Sequence, residues 1–133
     1  MPDRRELLKA GLAGSALPAS LLAGAAHAAG PPAIRRAVYD ERFEAGRRFA
    51  REAAARGLAV RAIRGDVTEV WFHDLDLLWK QTQTPVAGLT DETSLFCLER
   101  LAWDRGLRVL ARAPVERSPL LSWLIGPRPG TAS

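Results

Sequence analysis

Acidic side chains follow three apolar segments of the sequence, at the positions where an α/β protein places its chemistry. Asp40 and Glu41 follow AIRRAVY, Asp66 follows LAVRAI, and Thr90 and Asp91 follow PVAGL. A pair of carboxylates such as Asp40 and Glu41 can carry out acid–base catalysis when burial separates their pKa values. The structural alternative is that these side chains cap helices or lie in solvated turns.

The strand-end loops contain the predicted binding residues, because ligands of open parallel sheets bind beyond the carboxyl ends of the strands. Those residues are Asp40, Glu41, Arg42, Asp66, Thr90 and Asp91. Their carboxylates compete with an anionic ligand for the helix N-termini. The sequence also contains neither a GxGxxG motif nor a P-loop. We therefore expect no nucleotide pocket and predict no cofactor.

Other reactive side chains do not form a complete site in the sequence. His73 shares a helical face with Glu69 and Asp76, but a metal would need a further ligand from elsewhere, so no metal is predicted. Cys97 is the single cysteine, has no CxxC partner, and is expected to be a buried structural thiol. Ser94 lies outside any G-x-S-x-G motif, which makes a serine hydrolase improbable.

Tryptophan is frequent for a chain of this size. Partly exposed Trp beside Leu and Arg is typical of the centre of a protein interface. The alternative is a well-filled core whose indole edges reach solvent. The four interface candidates are Trp71, Trp79, Trp103 and Trp123.

Composition favours one ordinary globular domain. The chain has 133 residues, of which 47% are apolar and 26% are charged. Its 19 basic and 15 acidic residues leave a net charge of +4, which is too balanced to require nucleic acid as a partner.

The first 28 residues have the three parts of a secretory signal. Arg4 and Arg5 open a charged region, residues 10–26 are rich in Ala, Leu and Gly and carry no charge, and Ala26-His27-Ala28 is an A-x-A cleavage site. Cleavage is expected after Ala28. An uncleaved anchor is the less favoured alternative, because a spanning helix needs about 20 strongly apolar residues.

The order Arg-Arg-x-Leu-Leu-Lys resembles the twin-arginine translocation signal, with Asp3 before the pair and Leu7 where that family often has Phe. The resemblance covers only about the first 30 residues. It implies that the protein folds in the cytoplasm, engages the twin-arginine translocation machinery and is delivered to the periplasm.

Strand and helix patterns alternate along residues 29–133. Strands are expected at 33–39, 58–63, 85–89 and 107–111, and helices at 43–56, 67–80 and 90–105, the last capped by Thr90. This alternation predicts a small three-layer α/β sandwich with about four parallel strands and three helices. The apolar tail at 118–127 is expected either to close the core or to contact a partner.

Three functional hypotheses follow from these patterns. In the favoured one, the chain is an exported accessory or binding protein that docks on a larger exported partner through its Trp- and Leu-rich surface. In the second, it is a small periplasmic enzyme that uses the strand-end carboxylates. In the third, copies of the chain self-associate through an open sheet edge. The lack of a full catalytic constellation favours the first hypothesis.

Overall fold

A computed structural model describes residues 34–128, and the predicted signal peptide at 1–28 with its cleavage site lies outside them. The strands are β1 (Arg36–Asp40), β2 (Ala59–Ile63), β3 (Val86–Asp91), β4 (Leu107–Pro114) and β5 (Leu120–Pro127). Helix α1 spans Glu44–Ala55 and α3 spans Glu92–Trp103. Helix α2 is composite, with α-helical turns at Thr68–Val70 and Asp76–Gln81 on either side of a π-helical turn at Trp71–Leu75.

The five strands form one mixed sheet in the order β2-β1-β3-β5-β4. Strand β1 pairs in parallel with β2 and with β3, whereas β5 pairs antiparallel with both β3 and β4. Strand β4 therefore runs in the same direction as the first three strands but is separated from them by β5. The α/β class is as predicted, and the expectation of about four parallel strands is corrected to a mixed sheet of five strands.

The segment predicted as an apolar tail is strand β5 in the interior of the sheet. None of its residues is exposed, which explains a run of LLSWLI that shows no polar alternation. The β4–β5 connection is a short hairpin with Arg117 at φ 61°. Arginine is uncommon at positive φ. The connection also contains neither Asn-Gly nor Asp-Gly, the dipeptides typical of tight hairpins, so the sequence did not indicate this turn.

Helices cover both faces of the sheet. Helices α2 and α3 pack on one face around Leu75, Trp79, Leu98 and Trp123. Helix α1 packs on the other face through Phe49 and Ala53 against residues that include Ala37 and Leu89. The Trp123 ring lies against the backbone of Gly88, where any Cβ would clash with it. The sheet under α2 and α3 is therefore closely packed at this point.

Helix α3 begins one residue later than the sequence suggested. Asp91 is its N-cap, and the Asp91 Oδ1 atom accepts the backbone N–H of Ser94 at 2.9 Å. Thr90, the predicted cap, is instead the buried penultimate residue of β3. Its hydroxyl accepts the indole N–H of Trp123 at 2.9 Å and donates to the Asp91 carbonyl at 3.1 Å. The need of a buried indole for an acceptor explains why Thr90 is turned into the core.

Candidate functional site

The predicted strand-end site centres on Asp40, which is fully buried at the end of β1. The Arg42 guanidinium donates to both carboxylate oxygens, from Nε to Oδ1 at 2.9 Å and from Nη2 to Oδ2 at 2.7 Å. Burial raises the pKa of this carboxyl, but the hydrogen bonds and the charge of Arg42 outweigh burial and hold the pKa below its usual value. Asp40 is thus an ionised partner of arginine.

The other predicted acids at the strand ends are also partnered. Glu41 faces Arg64 at 3.3 Å, and Asp91 both caps α3 and lies 3.4 Å from Arg42. The two carboxylates that the acid–base hypothesis pairs therefore contact different arginines. This arrangement ties the loops after β1, β2 and β3 together.

Asp66 holds the start of helix α2. Its Oδ1 atom accepts the backbone N–H of Thr68 at 2.9 Å and the Thr68 hydroxyl at 2.7 Å, and these two bonds lower the Asp66 pKa. The helix then begins at Thr68 with no side-chain cap from Val67. Asp66 differs from Asp40 in role, because its partner is Thr68, the first residue of α2, and not an arginine.

A cleft of about 570 Å³ opens beside Asp66, between the start of α2 and the first three turns of α3. Trp71 and Phe72 line it from α2, and Phe96 and Leu101 line it from α3. The Phe72 and Phe96 side chains are largely exposed, at 66% and 56%. The cleft is therefore mainly apolar and has aromatic rims that the fold itself leaves uncovered.

The π-helical turn of α2 shapes this cleft. Asp74 points from the turn toward the sheet, where its carboxylate accepts the Nε–H of Arg36 and the Nε–H of Arg61, each at 3.0 Å. Leu75 beside it is fully buried, whereas Phe72 is directed outward. A π-turn adds a residue to the helical turn, and such insertions occur frequently at functional sites. The ion pairs of Asp74 thus help to hold the turn that presents Phe72 at the cleft.

Ser94 and Arg100 are two of the polar residues that line the cleft. The Ser94 hydroxyl oxygen is buried and forms no hydrogen bond. The Arg100 guanidinium stacks over Phe96 and Trp103, with its central carbon 5.9 and 5.0 Å from the two ring centroids. Arg100 forms no ion pair with any residue between 34 and 128. Arg108 stacks on Trp103 at 5.6 Å, which extends the surface beyond the cleft.

The four tryptophans divide between core and surface. Trp79 and Trp123 are enclosed in the core, at 3% and 0% exposure, with their indole N–H groups bonded to protein oxygens. Trp71 is half-buried in the cleft wall, and Trp103 is exposed beside Arg100. Of the four interface candidates, only Trp71 and Trp103 therefore offer surface to another molecule.

The residues considered for metal binding do not converge. His73 contacts Glu69 at 3.3 Å on the exposed face of α2, while Asp76 is paired with Arg105 and Lys80. The π-turn intervenes between Glu69 and Asp76 and changes the helical spacing that would align them. Among residues 34–128, no three His, Cys, Asp or Glu side chains are grouped as a metal site would require.

Cys97 is exposed in the cleft wall, so the expectation of a buried thiol is wrong. Leu95 and Leu98 form the stripe of α3 that faces the sheet. Cys97 follows Leu95 by two positions and therefore lies about 200° around the helix from it, on the opposite side. Phe96 is also off that stripe. A large apolar residue outside the core stripe is the sequence signal that could have indicated this surface, and it was missed.

Comparison with known proteins supplies no relative. No family model matches the chain, and neither the curated proteins nor the solved structures include a match. Within residues 34–128, no helix has the length and hydropathy needed to cross a membrane. Function must therefore be inferred from the geometry.

Proposed function

We propose that this protein is an exported accessory protein that docks on a larger exported partner through the α2–α3 cleft and the aromatic surface beside it. The observation that carries the proposal is the grouping of exposed rings on this side. Phe72 and Phe96 line the same cleft, and Arg100 joins Phe96 to Trp103 by stacking on both rings. We refer to these four residues as the docking surface.

The composition of the docking surface supports binding. Scattered exposed apolar residues are ordinary, but grouped aromatic side chains on a small soluble protein mark interaction sites. Aromatic residues and arginine are also enriched where binding energy concentrates. The rings do not contribute to the core, whose buried members are other residues. Their exposure therefore has a simple explanation if a partner covers them.

The alternative of an enzyme based on the strand-end carboxylates has weaker support. Asp40 and Glu41 are neutralised by Arg42 and Arg64, respectively. The Ser94 hydroxyl has no basic partner, and His73 is engaged with Glu69 on an exposed helix face. Among the described residues, these side chains leave no nucleophile and base in contact.

Export is the second part of the proposal and depends on the twin-arginine resemblance of residues 1–28. A mixed sheet in which β5 lies between β3 and β4 cannot be completed until β5 has been synthesised. A pathway that carries folded proteins suits such a fold. The partner would then be a protein of the same compartment.

The proposal is tested by recovering the full chain, with an affinity tag at its C-terminus, from the periplasm of the organism that encodes it. We expect the native chain to co-purify with one larger exported protein. The double variant Phe72→Ser/Phe96→Ser should be recovered alone. Leu110→Ser is the matched control, because Leu110 is also an exposed apolar residue but lies on β4 outside the cleft. Equal co-purification by the double variant, or recovery of the native chain as a lone monomer, would contradict the proposal.

A further inference from the structure

Two arginines line one cavity on the side of the sheet opposite the docking surface. The cavity has a volume of about 610 Å³ and lies between the start of α1 and the β4–β5 hairpin. Arg48 lines it from α1 and Arg117 from the hairpin, and both residues are exposed. Neither guanidinium forms an ion pair with any residue between 34 and 128. Both positive charges are therefore available to an anion.

The outward face of α1 continues this positive surface. Arg47 and Arg51 are exposed on that face together with Arg48. The Glu44 carboxylate accepts hydrogen bonds from Arg47 at 3.0 Å and from Arg51 at 3.2 Å. One carboxylate cannot neutralise two guanidinium groups, so the face keeps a positive charge. We refer to Arg47, Arg48, Arg51 and Arg117 as the basic surface.

Acidic residues near the basic surface reduce its charge but do not cancel it. Glu44 and Glu116 also line the cavity, and Glu52, the other acid of α1, has one carboxylate oxygen buried. The chain as a whole is polarised in the same direction. Residues 34–64 contain nine basic and four acidic residues, whereas residues 65–128 contain seven basic and nine acidic residues. The α1 side is therefore the side of the described domain where positive charge concentrates.

An anionic lipid bilayer suits the basic surface better than a protein or a nucleic acid does. Among the described residues, the large apolar side chains that are exposed lie on α2, α3 and β4, and none lies on α1 or in the hairpin connection. A protein interface needs such side chains as anchors, and single-stranded nucleic acid needs aromatic rings for base stacking. A layer of lipid phosphates needs only positive charge, and arginine can bind a phosphate through two parallel N–H groups.

We propose that the basic surface binds an anionic lipid bilayer, with a lipid phosphodiester held in the cavity by Arg48 and Arg117. Phe49 of α1 and Val115 of the hairpin connection belong to one core cluster, whereas α2 and α3 pack on the other face of the sheet. A chain bound in this way presents the docking surface away from the bilayer. The inference goes beyond the proposed function, because it assigns a second surface to a second kind of partner.

Sedimentation of the full chain with lipid vesicles tests the proposal. The probes are vesicles of phosphatidylcholine alone and vesicles that also contain about one-third phosphatidylglycerol. We expect the native chain to bind the anionic vesicles at least about tenfold more tightly, and to lose most of this preference between about 0.1 M and about 0.5 M salt. Amide hydrogen exchange at residues 44–51 and 115–119 should slow on the vesicles. All variants retain residues 1–28, so differences between variants report on the basic surface.

Charge variants assign the lipid binding to individual residues. Arg48→Gln should weaken binding to the anionic vesicles about fivefold, which is the contribution of one arginine beside such a membrane. Glu116→Gln should strengthen binding by a similar factor. Arg112→Gln is the matched control for the loss of one positive charge. Arg112 is also exposed, but its cross-strand partner Trp123 packs under α2 and α3, so Arg112 lies on the other face of the sheet.

Arg117→Gly separates lipid binding from stability. The backbone of Arg117 has φ 61°, a conformation that glycine adopts at lower cost than arginine. We therefore expect this variant to have an equal or higher melting temperature and to bind anionic vesicles about fivefold more weakly. A side chain with a purely structural role would change the melting temperature and leave vesicle binding unchanged.

Several results would overturn the proposal. They are equal binding of the native chain to both kinds of vesicle, unchanged binding in Arg48→Gln and Arg117→Gly, and an equal loss of binding in Arg112→Gln. If poly-glutamate protects residues 44–51 and 115–119 from exchange and anionic vesicles do not, the basic surface binds an acidic protein instead. Lipid binding by a chain that is recovered without a protein partner would support this inference and contradict the proposed function, and the converse pair of results would do the reverse.

Discussion

The ion pair between Asp40 and Arg42 shows how an acidic residue at a strand end can be structural although its position suggests chemistry. The Asp40 side chain has no exposed surface, and it receives the side-chain and the backbone N–H groups of Arg42. A sequence shows that the two residues are close along the chain, but it does not show that the guanidinium turns back onto the carboxylate. That is why catalytic and structural interpretations of Asp40 stayed open until the structure was known.

We predict that Asp40→Asn lowers the free energy of unfolding at pH 7 by about 2 kcal/mol, because a buried, charge-assisted pair of hydrogen bonds is lost. The Asp40 pKa is lowered in the folded protein. Its ionised form therefore contributes stability above the unfolded-state pKa of about 3.9, and that contribution is lost as the pH falls through the lower folded-state pKa. Urea unfolding between neutral and acidic pH measures both effects.

Glu44→Gln is the control for the Asp40 prediction. Glu44 also pairs with arginine and also has a lowered pKa, but it is exposed on α1. We expect a much smaller change in stability for this variant. If the difference between the native chain and Asp40→Asn stays constant from pH 7 to well below pH 4, the assigned ion pair is not the source of the stability.

Among the elements, the π-turn of α2 contains both Asp74, which forms ion pairs over the sheet, and Phe72, which lines the cleft. Asp74 is nearly enclosed, and it is the common partner of Arg36 on β1 and Arg61 on β2. Asp74→Ala would leave both arginines without their carboxylate over the sheet. We predict a loss of about 2 kcal/mol in the free energy of unfolding, below the value for fully buried pairs because Arg61 is partly exposed.

The same variant should alter the turn itself. Amide hydrogen exchange across residues 71–75 should become faster in Asp74→Ala, because the carboxylate that anchors the turn to β1 and β2 is gone. Glu69→Ala is the matched control on the same helix, since Glu69 is exposed and contacts only His73 among the described ion pairs. Unchanged exchange in Asp74→Ala would show that the π-turn does not depend on these ion pairs.

Periodicity in the sequence predicted the helices and the first four strands well, and it failed at β5. Three helices and strands close to β1, β2, β3 and β4 follow from apolar spacing and from the glycines that end the helices. The pairing of β5 between β3 and β4 depends on contacts far apart in sequence, and its hairpin contains neither Asn-Gly nor Asp-Gly. Because neither polar alternation nor a typical hairpin dipeptide marks β5 as a strand, the sequence predicted this segment only as an apolar tail.

The docking surface was only partly predictable for a related reason. Trp71 and Trp103 were expected as interface candidates, but composition alone could not separate them from Trp79 and Trp123, which are in the core. The cleft depends on the distance between α2 and α3 across the sheet, and the sequence contains no local pattern for that distance. The position of Phe96 outside the core stripe of α3 is the feature of the sequence that could have indicated this surface.

Considered as a whole molecule, the protein is proposed to leave the cytoplasm as a folded domain. We predict that replacing Arg4 and Arg5 with lysine strongly reduces the amount of the chain in the periplasm, because the resemblance to a twin-arginine signal depends on that pair. Cell fractionation followed by immunoblotting measures this amount. Undiminished export of the double-lysine variant would remove the support for export in the folded state.

The most direct test of the docking surface is photo-crosslinking in the cell. The chain would carry p-benzoylphenylalanine in place of Phe96 in one sample and in place of Leu110 in the other, so that an exposed position is compared inside and outside the cleft. We expect one discrete crosslinked product of higher mass from position 96, and little or none from position 110. Crosslinking from position 110 alone, or equal crosslinking from both positions, would contradict the assignment of the α2–α3 cleft as the surface that binds the partner.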